Sequence, residues 1–221
     1  MAISRRALLK RIGVAGTAAV VPAPLTAPVR HAAAEAQAPA ATAPPREAYE
    51  TLTAAESDVL EAMTARLIPS DATGPGAKEA RAAHYIDRAL AGALANFRSN
   101  YTTALSAIDG YARSKKGAAF AQLSAADQDA LLADVQRGAA SGFPAASPIF
   151  FALVRSHTIE GMFSDPYYGG NANFVGWDLI GYPGVRTSVA ANEQQMNTKI
   201  APNHRSAYDF AMFRKGGTDG R

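Results

Sequence analysis

PIFFALVRSHTIEGMF, residues 148–163, is the most apolar segment of the chain that has a helical period. Pro148 suits the first turn of a helix, where its missing N–H is not needed. From Ile149 to Val154 the pattern is apolar nearly all round, which is typical of a helix with neighbours on several sides. We therefore expect an all-α domain with this helix at its centre.

Four amphipathic helices are predicted before this segment. The first begins at the capping box Thr53–Glu56 and ends before Pro69. Ser124 is expected to cap the fourth helix and Gly138 to end it. In the second, third and fourth helices, apolar residues recur at three- and four-residue spacing. Their inward-facing positions are Ile86, Leu90, Ala93 and Phe97, then Tyr101, Leu105, Ile108 and Ala112, and then Leu131, Leu132 and Val135.

The chain is expected to fold as a single helical domain of about five to six helices, with a long irregular C-terminal quarter rich in glycine and aromatic residues. No segment shows the alternation of a β-strand. The predicted domain spans 51–215, with an Ala/Pro-rich linker at 37–50 before it and a flexible tail at 216–221 after it. Residues 203–213 are expected to form a last short helix or to lie extended.

The first 36 residues have the features of an export signal. Residues 4–10, SRRALLK, resemble the twin-arginine signal S-R-R-x-F-L-K, with Arg5 and Arg6 as the paired arginines and leucine at the phenylalanine position. The apolar run at 12–21 is shorter than the roughly 20 residues that span a bilayer, and small residues in an Ala-x-Ala pattern follow it. Because this route carries folded proteins, we expect a folded, periplasmic product.

The charge distribution and the lack of cysteine exclude several functions. The net charge of +3 comes from residues 1–36, which carry five basic residues and one acidic residue; the rest carries 17 basic and 18 acidic residues. No Lys/Arg stripe could follow a phosphate backbone, so nucleic acid is not an expected partner. Without cysteine, the chain can form no disulfide, iron–sulfur cluster or covalent link to a c-type haem.

Few residues are candidates for chemistry. His157 and Glu160 lie one helical turn apart, in the reverse order of the Glu-x-x-His pairs of di-iron bundles, and no second copy is present. We interpret Arg155, His157 and Glu160 as a buried polar network with paired charges, because an isolated buried charge is costly. The alternative is a metal-binding or catalytic helical periplasmic protein that uses His157 and Glu160. Apart from that alternative, we predict no catalytic residue and no metal ligand.

Residues 165–184, DPYYGGNANFVGWDLIGYPG, combine five glycines and two prolines with five aromatic residues and no helical period. Burying all five rings would remove roughly 750–1,250 Å² from water, against about 800 Å² for each partner in a standard interface. We expect part of the segment to face a partner protein and the rest to fill the core. The residues assigned to this interface are Asp165, Pro166, Tyr167, Tyr168, Gly169, Gly170, Asn171, Phe174, Trp177 and Tyr182.

Two blocks of the sequence match a known family. The first is LTAAESDVLEAMTARLI, residues 52–68, with the turn and helix after it. The second and more specific block, 151–184, contains R-x-H-T-I-E-G-M-F-x-D-P-x-Y-G-G-N, then Gly176-Trp177 and a final I-G-Y-P-G. Together the two blocks resemble the small subunit of gluconate 2-dehydrogenase, subunit 3 of that complex. Asp178 stands where the family has a basic residue after Gly-Trp, so an ionic contact from that position is in doubt.

The resemblance implies a non-catalytic subunit of a membrane-associated, periplasmic dehydrogenase acting on a sugar or sugar acid. In such complexes a large subunit binds FAD, and electrons pass to a multihaem c-type cytochrome and then to quinone. The small subunit aids export through the twin-arginine translocase, maturation and stability of the flavoprotein. This chain is expected to bind no cofactor. The substrate stays open between gluconate, another sugar acid, fructose, glucose and a polyol.

The resemblance also leads to an expectation for the only tryptophan of the chain. If Trp177 anchors the interface, Trp177→Ala should weaken association with the large subunit by about 2 kcal/mol or more.

A freestanding periplasmic binding module is a third functional hypothesis. It would require a stable monomer with a ligand-sized cavity.

Overall fold

The computed structural model describes residues 47–214, and within that range the chain forms six α-helices and no strand. We number the helices α1 Ala54–Leu67, α2 Ala82–Leu90, α3 Arg98–Lys116, α4 Ala125–Arg137, α5 Ser147–Phe163 and α6 Val175–Ile180. The prediction of an all-α fold with about five to six helices is confirmed. None of the helices in this range is long and apolar enough to cross a membrane.

The predicted linker extends too far into the chain. Glu47 forms an ion pair with Arg81, and the ring of Tyr49 lies against that of His84, with centroids 4.4 Å apart. Residues 47–50 therefore belong to the folded unit, which begins at Glu47. The export motif with Arg5 and Arg6, the rest of the linker and the predicted tail lie outside the described residues.

The predicted caps are present at both ends of α4 and at the start of α1. The Thr53 side chain accepts a hydrogen bond from the Glu56 N–H, and the Glu56 carboxylate accepts one from the Thr53 N–H at 2.8 Å. Ser124 accepts a hydrogen bond from the Asp127 N–H. Gly138 ends α4 in the left-handed conformation, with φ +78°. Local sequence thus determines these helix ends.

The prediction for the second helix is wrong in its second half. α2 ends at Leu90, and the chain turns at Gly92 before a short 3₁₀ turn, Ala95–Phe97. Ala93 and Phe97, which were expected to face inward, are both exposed. Glycine inside a helix costs roughly 0.5–1 kcal/mol relative to alanine, and a Cβ at Gly92 would meet no atom within 4 Å, so close packing does not require glycine there.

α5 is the central helix, as predicted, and contacts each of the other five helices. Its buried face carries Phe150, Val154 and His157, which pack among residues of α2, α3 and α4. The apolar first half of α5 is not covered on every side, however, because Ile149 is 63% exposed. The helix is central without being enclosed all round.

Asp87 of α2 holds the chain that leads into α1. Its carboxylate is buried and accepts hydrogen bonds from the N–H groups of Glu50, Thr51 and Leu52, and from the Thr51 hydroxyl at 2.7 Å. Hydrogen bonds to an ionised acceptor are stronger than neutral ones. Asp87 therefore fixes the entry of the chain into the helical domain.

Replacing Asp87 by alanine is expected to lower the free energy of unfolding by about 3 kcal/mol, because three backbone N–H groups lose their acceptor. Asp87→Asn keeps one acceptor oxygen and should cost less. Urea unfolding followed by tryptophan fluorescence measures both losses. If both substitutions lower the free energy of unfolding by the same small amount, the Asp87 carboxylate does not fix the entry of the chain.

After α5 the described chain is irregular apart from α6, and it contains short 3₁₀ turns. These are Pro166–Tyr168, Ala172–Phe174, Ala191–Gln194, Ala207–Asp209 and Ala211–Phe213. The last two lie within 203–213, where a short helix or an extended chain was predicted; the structure has two 3₁₀ turns joined by Phe210 in an extended conformation. We call residues 165–184 the aromatic segment and residues 185–214 the C-terminal strap.

Candidate partner interface

Asn171 fixes the aromatic segment to the end of α5. It is fully buried; its side chain donates to the Ser164 carbonyl at 2.9 Å and accepts from the Gly176 N–H at 2.8 Å. Asn171, Asn173 and Phe174 all have positive φ, a conformation that non-glycine residues keep only where the surrounding structure holds them. The segment is therefore a fixed scaffold for its rings, although α6 is its only α-helix.

Trp177 supports the aromatic segment from inside. It is 5% exposed, and its Nε1–H donates to the Phe163 carbonyl at 2.8 Å. Its ring centroid lies 5.5 Å from that of Phe174 and 4.8 Å from that of Tyr182. A side chain this buried offers no surface, so Trp177→Ala should first destabilise the fold, contrary to its expected role as an anchor. Gly170 and Asn171, also assigned to the interface, are buried as well.

Three tyrosines, two of them exposed and one half-buried, form a surface that we call the tyrosine face. Tyr167 and Tyr168 are 48% and 46% exposed, and their rings meet edge to face at 5.4 Å. Tyr208 of the strap stacks on Tyr167 at 3.7 Å, and its hydroxyl lies 2.8 Å from that of Tyr168. Tyr182 is exposed beside Trp177. Tyrosine is enriched at protein interfaces because its ring is apolar and its hydroxyl is polar.

Arg88 of α2 borders the tyrosine face. It donates to the Tyr167 carbonyl at 3.0 Å, and its guanidinium carbon lies 5.8 Å from the centroid of that ring. At Gly169, where φ is +94°, a Cβ would come within 3.4 Å of the Arg88 side chain. Glycine therefore suits both the turn and the approach of the arginine. Pro166, Gly169 and Phe174 are half-buried.

Asp165 was assigned to the partner interface, but it binds the strap. Its carboxylate accepts hydrogen bonds from the Ser206 hydroxyl at 2.6 Å, the Ala207 N–H at 2.8 Å and the Tyr167 N–H at 3.0 Å. Ser206 is buried. Asp165 therefore holds the strap against the aromatic segment.

The strap also supplies a partner for Asp178, the residue that departs from the family pattern. His204 Nε2 lies 2.7 Å from a carboxylate oxygen of Asp178. The His204 ring stacks on Phe174 with centroids 5.1 Å apart. The Asp178 carboxylate is thus hydrogen-bonded within the chain itself.

The predicted buried network of Arg155, His157 and Glu160 is wrong. His157 is buried, and its Nδ1 lies 2.9 Å from the Tyr101 hydroxyl. Arg155 and Glu160 are exposed because they lie off the packed face of α5. Glu160 accepts a hydrogen bond from Tyr85, and burial together with this bond raises the pKa of Tyr85 to about 12. Within residues 47–214, no three His, Cys, Asp or Glu side chains are placed to hold a metal ion.

Burial lowers the pKa of His157, so the unfolded chain takes up a proton before the folded chain does as the pH falls. Stability should therefore decrease below about pH 6.5, the ordinary pKa of histidine. His157→Gln is expected to reduce this decrease by up to about 1.4 kcal/mol per pH unit. Urea unfolding of both proteins between about pH 7.5 and 5.5 measures it. An identical pH dependence in the two proteins would contradict the prediction.

The family model of gluconate 2-dehydrogenase subunit 3 matches residues 54–184, more than half of the chain. The match begins at α1, includes the aromatic segment and ends where the C-terminal strap begins. No curated protein and no solved structure matches the chain. From the matched range we conclude that this protein belongs to the gluconate 2-dehydrogenase subunit 3 family.

Proposed function

We propose that this chain is the non-catalytic small subunit of a flavoprotein dehydrogenase, and that it binds the FAD-bearing large subunit through the tyrosine face. The proposal depends above all on the exposure of Tyr167 and Tyr168 on a segment that Asn171 and Trp177 fix from inside. Rigid aromatic side chains lose little entropy on binding and are frequent interface anchors.

The proposed complex divides the chemistry between its subunits. FAD would belong to the large subunit and c-type haem to a multihaem cytochrome, from which electrons pass to quinone. The lack of cysteine in this chain fits that division, because no covalent haem link can form on it. The small subunit then stabilises the flavoprotein and assists its maturation.

Arg5 and Arg6 support the export part of the proposal. The twin-arginine translocase moves folded proteins, so a signal on the small subunit can carry a large subunit that already contains FAD. The complex would then lie in the periplasm, peripherally associated with the inner membrane.

Co-expression of the two subunits tests this function. With the unaltered small subunit, we expect soluble, active flavoprotein in the periplasm. Replacing Arg5 and Arg6 by lysine preserves the charge and provides the matched control, in which both subunits should remain in the cytoplasm. If the flavoprotein is exported and fully active without the small subunit, the proposal is wrong.

A further inference from the structure

The central helix α5 leaves one face uncovered by the rest of the domain. At 3.6 residues per turn, the exposed residues of this helix fall within about 140° of its circumference. We call this surface the open face of α5, and it consists of Ile149, Ala152, Arg155, Ser156, Ile159 and Glu160. A helix at a domain surface normally turns its large apolar side chains to the core, but Ile149 and Ile159 are 63% and 39% exposed. The open face is therefore a candidate contact surface.

The spacing along the open face is that of a helix that pairs with another helix. From Ile149 to Ile159, its four uncharged residues follow steps of three, four and three residues, which are the a and d positions of a heptad. Arg155 then occupies a g position, and Glu160 occupies the e position of the next heptad. Residues at g and e border the a and d residues and form ion pairs between paired helices.

Both charged residues of the open face lack an ion pair. In the part of the chain that the structure describes, neither Arg155 nor Glu160 lies within ion-pair distance of an opposite charge. Glu160 accepts a hydrogen bond from the Tyr85 hydroxyl at 3.0 Å, which is a neutral donor. Arg66 and Asp129 line a groove together with Arg155, but they compensate each other through two hydrogen bonds at 2.6 and 2.7 Å. The open face thus carries one unpaired charge of each sign.

A second copy of this chain offers the complement of both charges. In a parallel pair of helices, a g residue meets the e residue of the following heptad in the other helix. Arg155 would then face Glu160 of the partner subunit, and twofold symmetry would repeat the contact. In an antiparallel pair, the twofold axis places each edge of the face against the same edge of its copy. Like charges would then meet, so the charge pattern favours the parallel pair.

We propose that two copies of this chain pair through the open face of α5, with the two helices parallel. Ala152 and Ser156 lie in the middle of the face, where small side chains let helix axes approach closely. Ile149 and Ile159 pack against their own copies at either end. The tyrosine face is not part of this contact, so the pairing does not depend on the proposed function. If both proposals hold, the complex contains two small and two large subunits.

The size of the open face sets the expected strength of the pair. α5 has 17 residues, which corresponds to a length of about 25 Å, and a helix is about 10 Å wide. This area is well below the roughly 800 Å² that each partner buries in a standard interface. We therefore expect a dimer that dissociates at micromolar concentrations rather than a permanent one.

Disulfide cross-linking tests the pairing and its direction, because the natural chain contains no cysteine. In a parallel pair each d residue faces its own copy, so Ala152→Cys and Ile159→Cys should each give a covalent dimer. The two positions lie about 10 Å apart along the helix. An antiparallel pair can bring only one of them within the roughly 4 Å between Cβ atoms that a disulfide requires.

The full chain carrying each cysteine is oxidised mildly and analysed by electrophoresis without reducing agent. Met196→Cys, at a position 91% exposed in the strap, measures cross-linking by random collision. We expect both α5 variants to cross-link faster than this control. Cross-linking at only one of the two positions, or at neither, would overturn the parallel pair.

Charge reversal gives an independent test. Arg155→Glu and Glu160→Arg should each raise the dissociation constant of the dimer about tenfold at low salt, because each creates two contacts between like charges. The chain with both substitutions should regain the affinity of the unaltered dimer, since the opposite charges meet again. Sedimentation equilibrium measures the constants, and urea unfolding checks that each variant folds. A doubly substituted chain that dimerises no better than the single variants would contradict the proposed ion pairs.

Discussion

Replacing Gly176 by alanine is expected to lower the free energy of unfolding by about 3 kcal/mol or more. A Cβ at this position would lie 1.8 Å from the Met162 carbonyl oxygen and 3.1 Å from the Asn171 side chain. Both neighbours are fixed, because Met162 lies within α5 and Asn171 is fully buried. The aromatic segment would have to move off the end of α5, taking Trp177 with it.

Gly110→Ala is the matched control for this substitution. Gly110 is exposed within α3, and a Cβ there meets no atom within 4 Å. Alanine should therefore stabilise the protein by about 0.5–1 kcal/mol through its higher helix propensity. Urea unfolding measures both variants. If Gly176→Ala unfolds within about 0.5 kcal/mol of the parent, the close packing of the aromatic segment on α5 is not what holds it.

The second large effect is expected on partner binding. The double substitution Tyr167→Ala and Tyr168→Ala should weaken binding of the large subunit by at least about 2 kcal/mol, roughly 30-fold in Kd. The two rings are exposed in the free chain and stand on a fixed backbone, so their loss removes contact area with little change in the core. Titration of the purified subunits measures the change.

Ile149→Ala provides the matched control for the double substitution. Ile149 is a large apolar side chain, 63% exposed, near the opposite end of α5 from the aromatic segment. Its removal should leave the affinity unchanged. A loss of affinity that is equal in both proteins, or absent from both, would contradict the assignment of binding to the tyrosine face.

Local sequence predicts a helix well where its apolar period and its caps agree. In α3, Tyr101, Leu105 and Ile108 are buried as the spacing predicts. In α4, Ser124 and Gly138 mark the two ends. The predicted extent of the second helix was wrong because the apolar spacing of the sequence continues across Gly92, whereas the backbone turns there.

In α5 the three- and four-residue spacing predicts which face is buried. The interpretation of Arg155, His157 and Glu160 as one buried network is inconsistent with that spacing. Val154, His157, Thr158 and Gly161 follow the three- and four-residue steps of one buried face. Arg155 and Glu160 fall outside that series. A count of helical positions would therefore have placed both charges in solvent and kept only His157 inside.

The residues of the aromatic segment alone do not predict which of its rings are buried and which are exposed. Its composition predicted that some rings are buried and others exposed, but Trp177 and Tyr167 differ because of distant contacts. Asp165 meets Ser206 across 41 positions of sequence, and Tyr208 stacks on Tyr167 from the strap. No helical or strand period links these residues, so only the folded chain brings them together.

Size-exclusion chromatography of the periplasmic fraction tests the central claim most directly. The tagged small subunit is co-expressed with its large subunit, and flavin absorbance is recorded together with the tag. We predict that both signals elute in one peak, and that the flavin signal is lost from this peak when Tyr167 and Tyr168 are replaced by alanine. A small subunit that elutes alone while flavoprotein elutes separately and fully active would contradict it.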